Sequence, residues 1–172
     1  MKTIIISLLA ALAVASCGLS NKKDKIGVHN VTAKLLFETH TPYCGGARPT
    51  PKMAEGSRSP ISNQHYYFEL EGHEKIKAST DENGKLSIDL QKGDYLIYSS
   101  DKVELSYTEF YNKFKSKSKF EIEKEEQCFK DWYAGADFKL NIQSDTVAVF
   151  TVKKRCYVGN NKCINYEGPI AP

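Results

Sequence analysis

Downstream of residue 30 the chain is dominated by short runs in which apolar and polar side chains alternate, and a period of two predicts strands. Val31 to Glu38 (Val-Thr-Ala-Lys-Leu-Leu-Phe-Glu) is rich in β-branched and apolar residues and reads as the first of them. His65 to Leu70, with Tyr66, Tyr67, Phe68 and Leu70, reads as another, and Lys75 to Thr80 alternates through Ile76 and Ala78. Leu86, Ile88 and Leu90 alternate with polar residues until Gly93, after which Tyr95 and Ile97, with Leu96 and Tyr98, form the next run. Asp81-Glu-Asn-Gly84 between them reads as a tight hairpin turn, because Asn-Gly supplies the positive φ values such turns need. The expectation is a meander of short antiparallel strands. Phe138, Leu140 and Ile142 alternate as a further strand, and Thr146 to Val152, around Val147 and Val149, is the best strand candidate in the chain.

Two segments carry a helical period instead. Ser106-Tyr-Thr-Glu109 matches a capping box, in which hydroxyl and carboxylate satisfy orphan backbone donors, and Tyr107, Phe110, Tyr111 and Phe114 follow on one face. Residues 121–133 form a second helical candidate, with Ile122, Phe129, Trp132 and Tyr133 sharing a face. Together they predict a short helical insert at about 106–134. Residues 41–64 hold four of the six prolines, with Gly45, Gly46 and Gly56. A loop of that length is functional or pinned, and Cys44 offers the pin. The tail after Cys163 reads as irregular.

The first residues follow a different pattern. After Lys2, the run from Thr3 to Ala15 is almost wholly apolar, through Ile4, Ile5, Ile6, Leu8, Leu9, Leu12 and Val14. It is too short to span a bilayer, which takes about 20 residues, and fits a secretory h-region of about 7–15. Val14-Ala15-Ser16-Cys17 resembles the lipobox of bacterial lipoproteins. That resemblance implies a cut before Cys17 and a covalent lipid on it, with acyl chains rather than a helix as the membrane anchor. Gly18 is not the Asp that commonly retains such proteins in the inner membrane, so the outer membrane is expected, the leaflet being open. The expected organisation is a signal peptide at 1–16, a lipidated tether at 17–27 and a β-sandwich domain at 28–172.

Removing residues 1–16 leaves 156, enough for one domain with a sizeable core. The 23 basic and 21 acidic residues that remain are nearly balanced, so nothing draws the chain to nucleic acid. The four further cysteines, Cys44, Cys128, Cys156 and Cys163, would enter an oxidising compartment, where an even number favours disulfides. Three connectivities are open. Zinc sites use paired short spacings such as Cys-x-x-Cys, and none occurs.

Ala78-Ser-Thr-Asp-Glu-Asn-Gly-Lys-Leu-Ser-Ile-Asp-Leu-Gln-Lys-Gly-Asp-Tyr-Leu-Ile97 resembles the prealbumin-like modules called Cna-B or carboxypeptidase regulatory-like domains. The resemblance implies an all-β fold, an antiparallel prealbumin-like β-sandwich, with Leu86, Ile88, Leu90 and Tyr95 lining one face. Thr41-Pro-Tyr-Cys-Gly-Gly-Ala-Arg-Pro49, with Cys128-x-x-x-Trp132 and Cys156…Cys163, looks like a group of small bacterial lipoproteins whose cysteines are structural.

Prealbumin-like folds include enzymes. The hydroxyisourate hydrolases end in Tyr-Arg-Gly-Ser, whereas this sequence ends in Glu-Gly-Pro-Ile-Ala-Pro, and the iron site of intradiol dioxygenases needs two Tyr and two His. His29, His40, His65 and His73 show no ligand-like grouping, and no nucleophile or phosphate-loop motif is present. No catalytic residue, no metal site and no cofactor beyond the covalent lipid on Cys17 are therefore expected. Lys113-Phe-Lys-Ser-Lys-Ser-Lys-Phe120 reads as a solvated connection neutralised by Glu121, Glu123, Glu125 and Glu126.

The leading expectation is a non-enzymatic, membrane-anchored binding or structural module of the cell envelope, with an envelope protein or glycan as partner. One alternative is a secreted hydrolase or metal-handling protein of the same fold. Another is an inhibitor or immunity lipoprotein using Tyr43, Gly45, Gly46 and Arg48 as a contact loop.

Overall fold

The computed structural model describes residues 30–170. The expected signal peptide, the lipidation site Cys17 and the tether lie outside these residues. The described chain runs through β1 (Val31–Thr41), α1 (Pro51–Ala54), β2 (Ser57–Pro60), β3 (His65–Leu70), β4 (Ile76–Ser79), β5 (Lys85–Leu90) and β6 (Gly93–Ser99). It continues through α2 (Ser100–Val103), α3 (Tyr107–Phe114), β7 (Glu121–Glu123), α4 (Glu126–Ala134), β8 (Phe138–Ile142), β9 (Thr146–Lys153) and β10 (Ile164–Tyr166).

Two sheets make the expected β-sandwich. In the first, β1 is central. Its first half pairs antiparallel with β5, from Val31↔Leu90 to Leu36↔Lys85, and its second half with β2, from Glu38↔Pro60 to Thr41↔Ser57. Its other edge runs parallel to β9, from Ala33↔Thr146 to His40↔Lys153. The second sheet is antiparallel in the order β4-β3-β6-β8, and β7 and β10 form a separate ribbon. The alternation read from the sequence determines what faces inward. Ala33, Leu35 and Phe37 of β1 and Leu86 and Leu90 of β5 meet Tyr66 and Phe68 of β3, Tyr95 and Ile97 of β6, and Leu140 and Ile142 of β8, all buried. Phe37 stacks on Tyr66 at a centroid distance of 4.0 Å.

The tight turns connect differently from the expected meander. β4 and β5 lie in different sheets, as do β5 and β6, so the turn at 81–84 crosses the sandwich instead of closing a hairpin. Leu86 and Leu90 therefore face Tyr95 across the core rather than beside it. Asp81 holds the crossing, its Oδ1 accepting from the Asn83 and Lys85 amides at 2.8 and 2.7 Å. Gly84, at φ +73°, sits where β1 exchanges β5 for β2, and a Cβ there would overlap the Phe37 carbonyl oxygen. Phe37 N donates to Gly84 O at 2.8 Å, and Ile61 N donates to Phe37 O at 2.9 Å.

β9 is the other surprise. It borders β1 alone, and although Ala148 and Phe150 pack on the core, Val147 and Val149 point out and are 81% and 56% exposed.

The helical insert forms as expected around α3, whose Ser106–Glu109 capping box is complete. The predicted helix over 121–133 is shortened. Glu121–Glu123 is strand instead, paired with β10, so Ile122 leaves the helical face and lies 44% exposed, and of the tail expected to be irregular Ile164–Tyr166 is strand while 167–170 has no regular element. The cause is local. Glu121 and Glu123 accept from the Lys117 and Ser116 amides at 2.6 and 2.7 Å, and Glu123 from the Tyr111 hydroxyl at 2.8 Å, which fixes extended backbone under the lysine run. Phe110, Phe129, Trp132, Cys163 and Ile164 form a second, smaller core.

Candidate functional site

Two features at one end of the sandwich carry the chemistry, and the cysteines create the first. Residues 42–50 leave the end of β1 and enter α1 at Thr50, whose hydroxyl accepts from the Met53 amide at 3.3 Å. Cys44 is bonded to Cys156 across 112 residues, with the two Cα atoms 5.4 Å apart. Tyr157, the next residue, takes a left-handed φ of +68° and donates its hydroxyl to Cys44 O at 2.8 Å, while its ring stacks on Tyr166 at 4.3 Å. A strained non-glycine backbone persists only where its surroundings over-determine it, and here a cystine, a hydrogen bond and a ring stack do so. Tyr43 and Gly45 are half-buried, the Tyr43 ring lying where a Cβ on Gly45 would be, and Gly46 to Thr50, including Arg48, are exposed.

The second disulfide, Cys128–Cys163, ties α4 to the segment entering β10, with Cα atoms 5.7 Å apart. Both cross-links end in the C-terminal segment. This connectivity is one of the three that the sequence left open.

The second feature is a cleft of about 630 Å³ between the sandwich and the insert. One wall is aromatic, from Phe110, Phe114 and Trp132 of the insert and Phe138 of β8. Phe114 and Trp132 lie 4.9 Å apart between centroids. The end of β9 and the residues after it bring Lys153, Lys154 and Arg155 to the opposite side, with Lys162 nearby. Arg155 is committed to the backbone, donating to the carbonyls of Asn161 and Ile164. Lys153, Lys154 and Lys162 are exposed and make no ion pair among the described residues.

Three ionisable groups sit deeper. The Lys102 side chain is 2% exposed, with Nζ 2.7 Å from Asp137 Oδ1 and donating to Gly135 O at 2.7 Å. The other Asp137 oxygen accepts from the Ser99 amide at 2.8 Å. Burial pushes the Lys102 ammonium below its ordinary range, and the Asp137 carboxylate works against that fall. A pair so placed is costly to break from one side, because the survivor is left buried and uncompensated. Tyr66 also lines the cleft. Its hydroxyl makes no hydrogen bond among the described residues, and burial, then the Asp137 charge, raise its pKa far enough to keep the phenol neutral.

Sequence reading picked out the loop around Cys44 but neither the cleft nor the Lys102–Asp137 pair. Ser-Ser-Asp-Lys-Val looks like any exposed first turn, and no pattern in it marks Lys102 for burial. His40 lies with Nε2 2.9 Å from Glu55 O, while the Cys44 sulfur is spent in its disulfide. Among the described residues no three His, Cys, Asp or Glu side chains converge as a metal would require. No helix among them is long and apolar enough to cross a membrane.

No protein-family model matches the sequence, and no curated protein does. Among solved structures, the chain is similar to a DUF3823 family protein from Bacteroides ovatus ATCC 8483, at 11% identity and a TM-score of 0.34, over 72% of this chain and 44% of that one. A DUF3823 family protein from Parabacteroides merdae ATCC 43184 gives 12% identity and a TM-score of 0.32, over 73% and 46%. Klebsiella pneumoniae 5-hydroxyisourate hydrolase gives 14% identity and a TM-score of 0.33, over 78% and 98%. The chain spans less than half the length of both DUF3823 proteins.

Proposed function

We propose that this protein is a lipoprotein of the bacterial envelope, anchored to the outer membrane through lipid on Cys17, whose prealbumin-like sandwich works by binding and not by catalysis. One observation carries the reading: of the five cysteines, four are consumed in two disulfides, and Cys17, directly behind the apolar leader, is the one left over. Cystines of this kind belong to an oxidising compartment, and a single thiol at a lipobox is what acylation requires. Binding is favoured over catalysis by the state of the buried groups. Lys102 and Asp137 neutralise each other and are further tied to backbone, which serves architecture better than proton transfer.

The exposed stretch 46–50, with Arg48 at its centre and held by the Cys44–Cys156 bridge, supports a protein or glycan contact at the loop. It also keeps the inhibitor or immunity role as a second reading.

The anchoring claim is tested by fractionation. Cys17→Ala should release the protein from membrane fractions and abolish labelling by a palmitate analogue. Continued membrane association of that variant would overturn the reading. Crosslinking on intact cells, compared between wild type and Arg48→Glu, should lose adducts in the variant if the loop makes the contact.

A further inference from the structure

We propose that the cleft between the sandwich and the insert binds a small organic carboxylate with an apolar body, its charge meeting Lys153, Lys154 and Lys162 and its body lying against Phe114, Trp132 and Phe138. The inference rests on the reading that the domain works by binding, and goes beyond the contact loop to a second site and a ligand class.

Size is the first support. About 630 Å³ falls within the range of about 300–1,000 Å³ in which small-molecule sites occur, and such sites combine apolar walls with a few directed polar groups.

Charge is the second. Both carboxylates of the cleft are already occupied, Asp101 by Lys113 at 2.8 Å and Asp137 by Lys102 at 2.7 Å. Three lysines on its rim have no anionic partner among the described residues. The net field is therefore positive and unspent, which selects an anion and repels a cation. Lysines on a purely solvated face need no aromatic wall behind them. Here most of the wall comes from the insert, while Lys153 and Lys154 come from the β9 end of the sandwich, so an occupant would touch both halves of the molecule.

The third support is the Tyr66 hydroxyl. Its phenol is kept neutral by burial and by the nearby Asp137 charge, and it makes no hydrogen bond among the described residues. Tyr66 lines the cleft, where an oxygen-bearing ligand would offer its hydroxyl an acceptor.

The chain's single tryptophan, Trp132, lines this cleft and gives one reporter signal, which the Lys153 and Lys154 substitutions below tie to this side of the ring. The full lipidated protein, labelled with 15N-tryptophan and held in a neutral detergent, gives one indole signal. That signal is followed by NMR on addition of 4-(trifluoromethyl)benzoate and, separately, of the uncharged 4-(trifluoromethyl)benzamide. The benzoate should shift the indole signal saturably with a dissociation constant of about 1 mM or below, as its size allows. The benzamide should bind about tenfold more weakly.

The double variant Lys153→Glu, Lys154→Glu alters only exposed side chains and should weaken benzoate about tenfold while leaving benzamide unchanged. Hexanoate should displace the benzoate, and acetate should not. An indole signal unmoved by benzoate, equal affinities for the acid and the amide, or an unchanged benzoate affinity in the double variant would each overturn the proposal. Such a failure would leave Cys17-dependent membrane association as it stands, and a failure of anchoring in cell fractions would leave the titration as it stands.

Discussion

The sandwich and the insert each bury aromatic side chains, yet they are held together by different means. The sandwich core gathers eleven buried residues from five strands lying between residues 31 and 142, and every strand in it is tied to its neighbours by backbone ladders. The insert core has five, three of them within α3 and α4, and its helices have eight and nine residues. Isolated helices of that length are marginal in water, and so small a core offsets little chain entropy. Phe110 packs edge-on to Trp132 at 5.1 Å, and Tyr111 likewise to Phe129 at 5.1 Å, but the closure is covalent, through Cys128–Cys163. In the sandwich the cross-link Cys44–Cys156 lies beyond the ends of β1 and β9 and the core itself is closed by ladders, whereas the insert, with a few rings and short helices, has its cross-link inside the core.

That contrast can be broken from the sandwich side. Phe37 is wholly buried and stacked on Tyr66, so Phe37→Ala should cost about 3–5 kcal/mol and lower the whole thermal transition, read by calorimetry. Both regions should then melt together at the lower temperature.

The insert should respond differently. Cys128→Ser removes a bridge spanning 35 residues, with an expected loss of about 2–4 kcal/mol. Hydrogen exchange should rise across 106–134 while β1, β3 and β6 keep their protection. Equal loss of protection in both regions would show that the insert is not a separate unit.

The smallest effect lies at the seam between them. Glu104, just after α2, accepts from Lys77 Nζ of β4 at 2.8 Å and from the Tyr67 hydroxyl of β3 at 2.7 Å. The hydrogen bond from Lys77, then that from Tyr67, hold its carboxyl below the ordinary value of 4.5. A depressed folded-state pKa contributes stability that is present above the ordinary value and lost as pH falls through the folded one. Denaturant midpoints measured downward from pH 5 should therefore decline slightly less steeply in Glu104→Gln than in wild type. The effect is small because the group is exposed and screened.

Much of the architecture could be read from local pattern. The period of two located the strands and chose their inward residues, since a strand's facing is decided by its own alternation, and the Ser106–Glu109 box marked the start of α3 because a cap is satisfied within four residues. Cysteine parity, likewise, needs only a count. What the pattern of residues could not contain is which neighbour each element meets. The parallel partner of β1 lies more than a hundred residues downstream, the turn at 81–84 crosses between sheets, and the outward valines of β9 lie exposed on the outer face of their sheet. The cleft belongs wholly to this second category. Lys102 is buried only because Gly135 and Asp137 arrive from the far end of the insert, and the lysine rim faces the aromatic wall only because β9 ends beside α3 and α4. Local sequence specifies period and capping, which act over a few residues; desolvation and charge pairing depend on distances in space, which the tertiary fold alone decides.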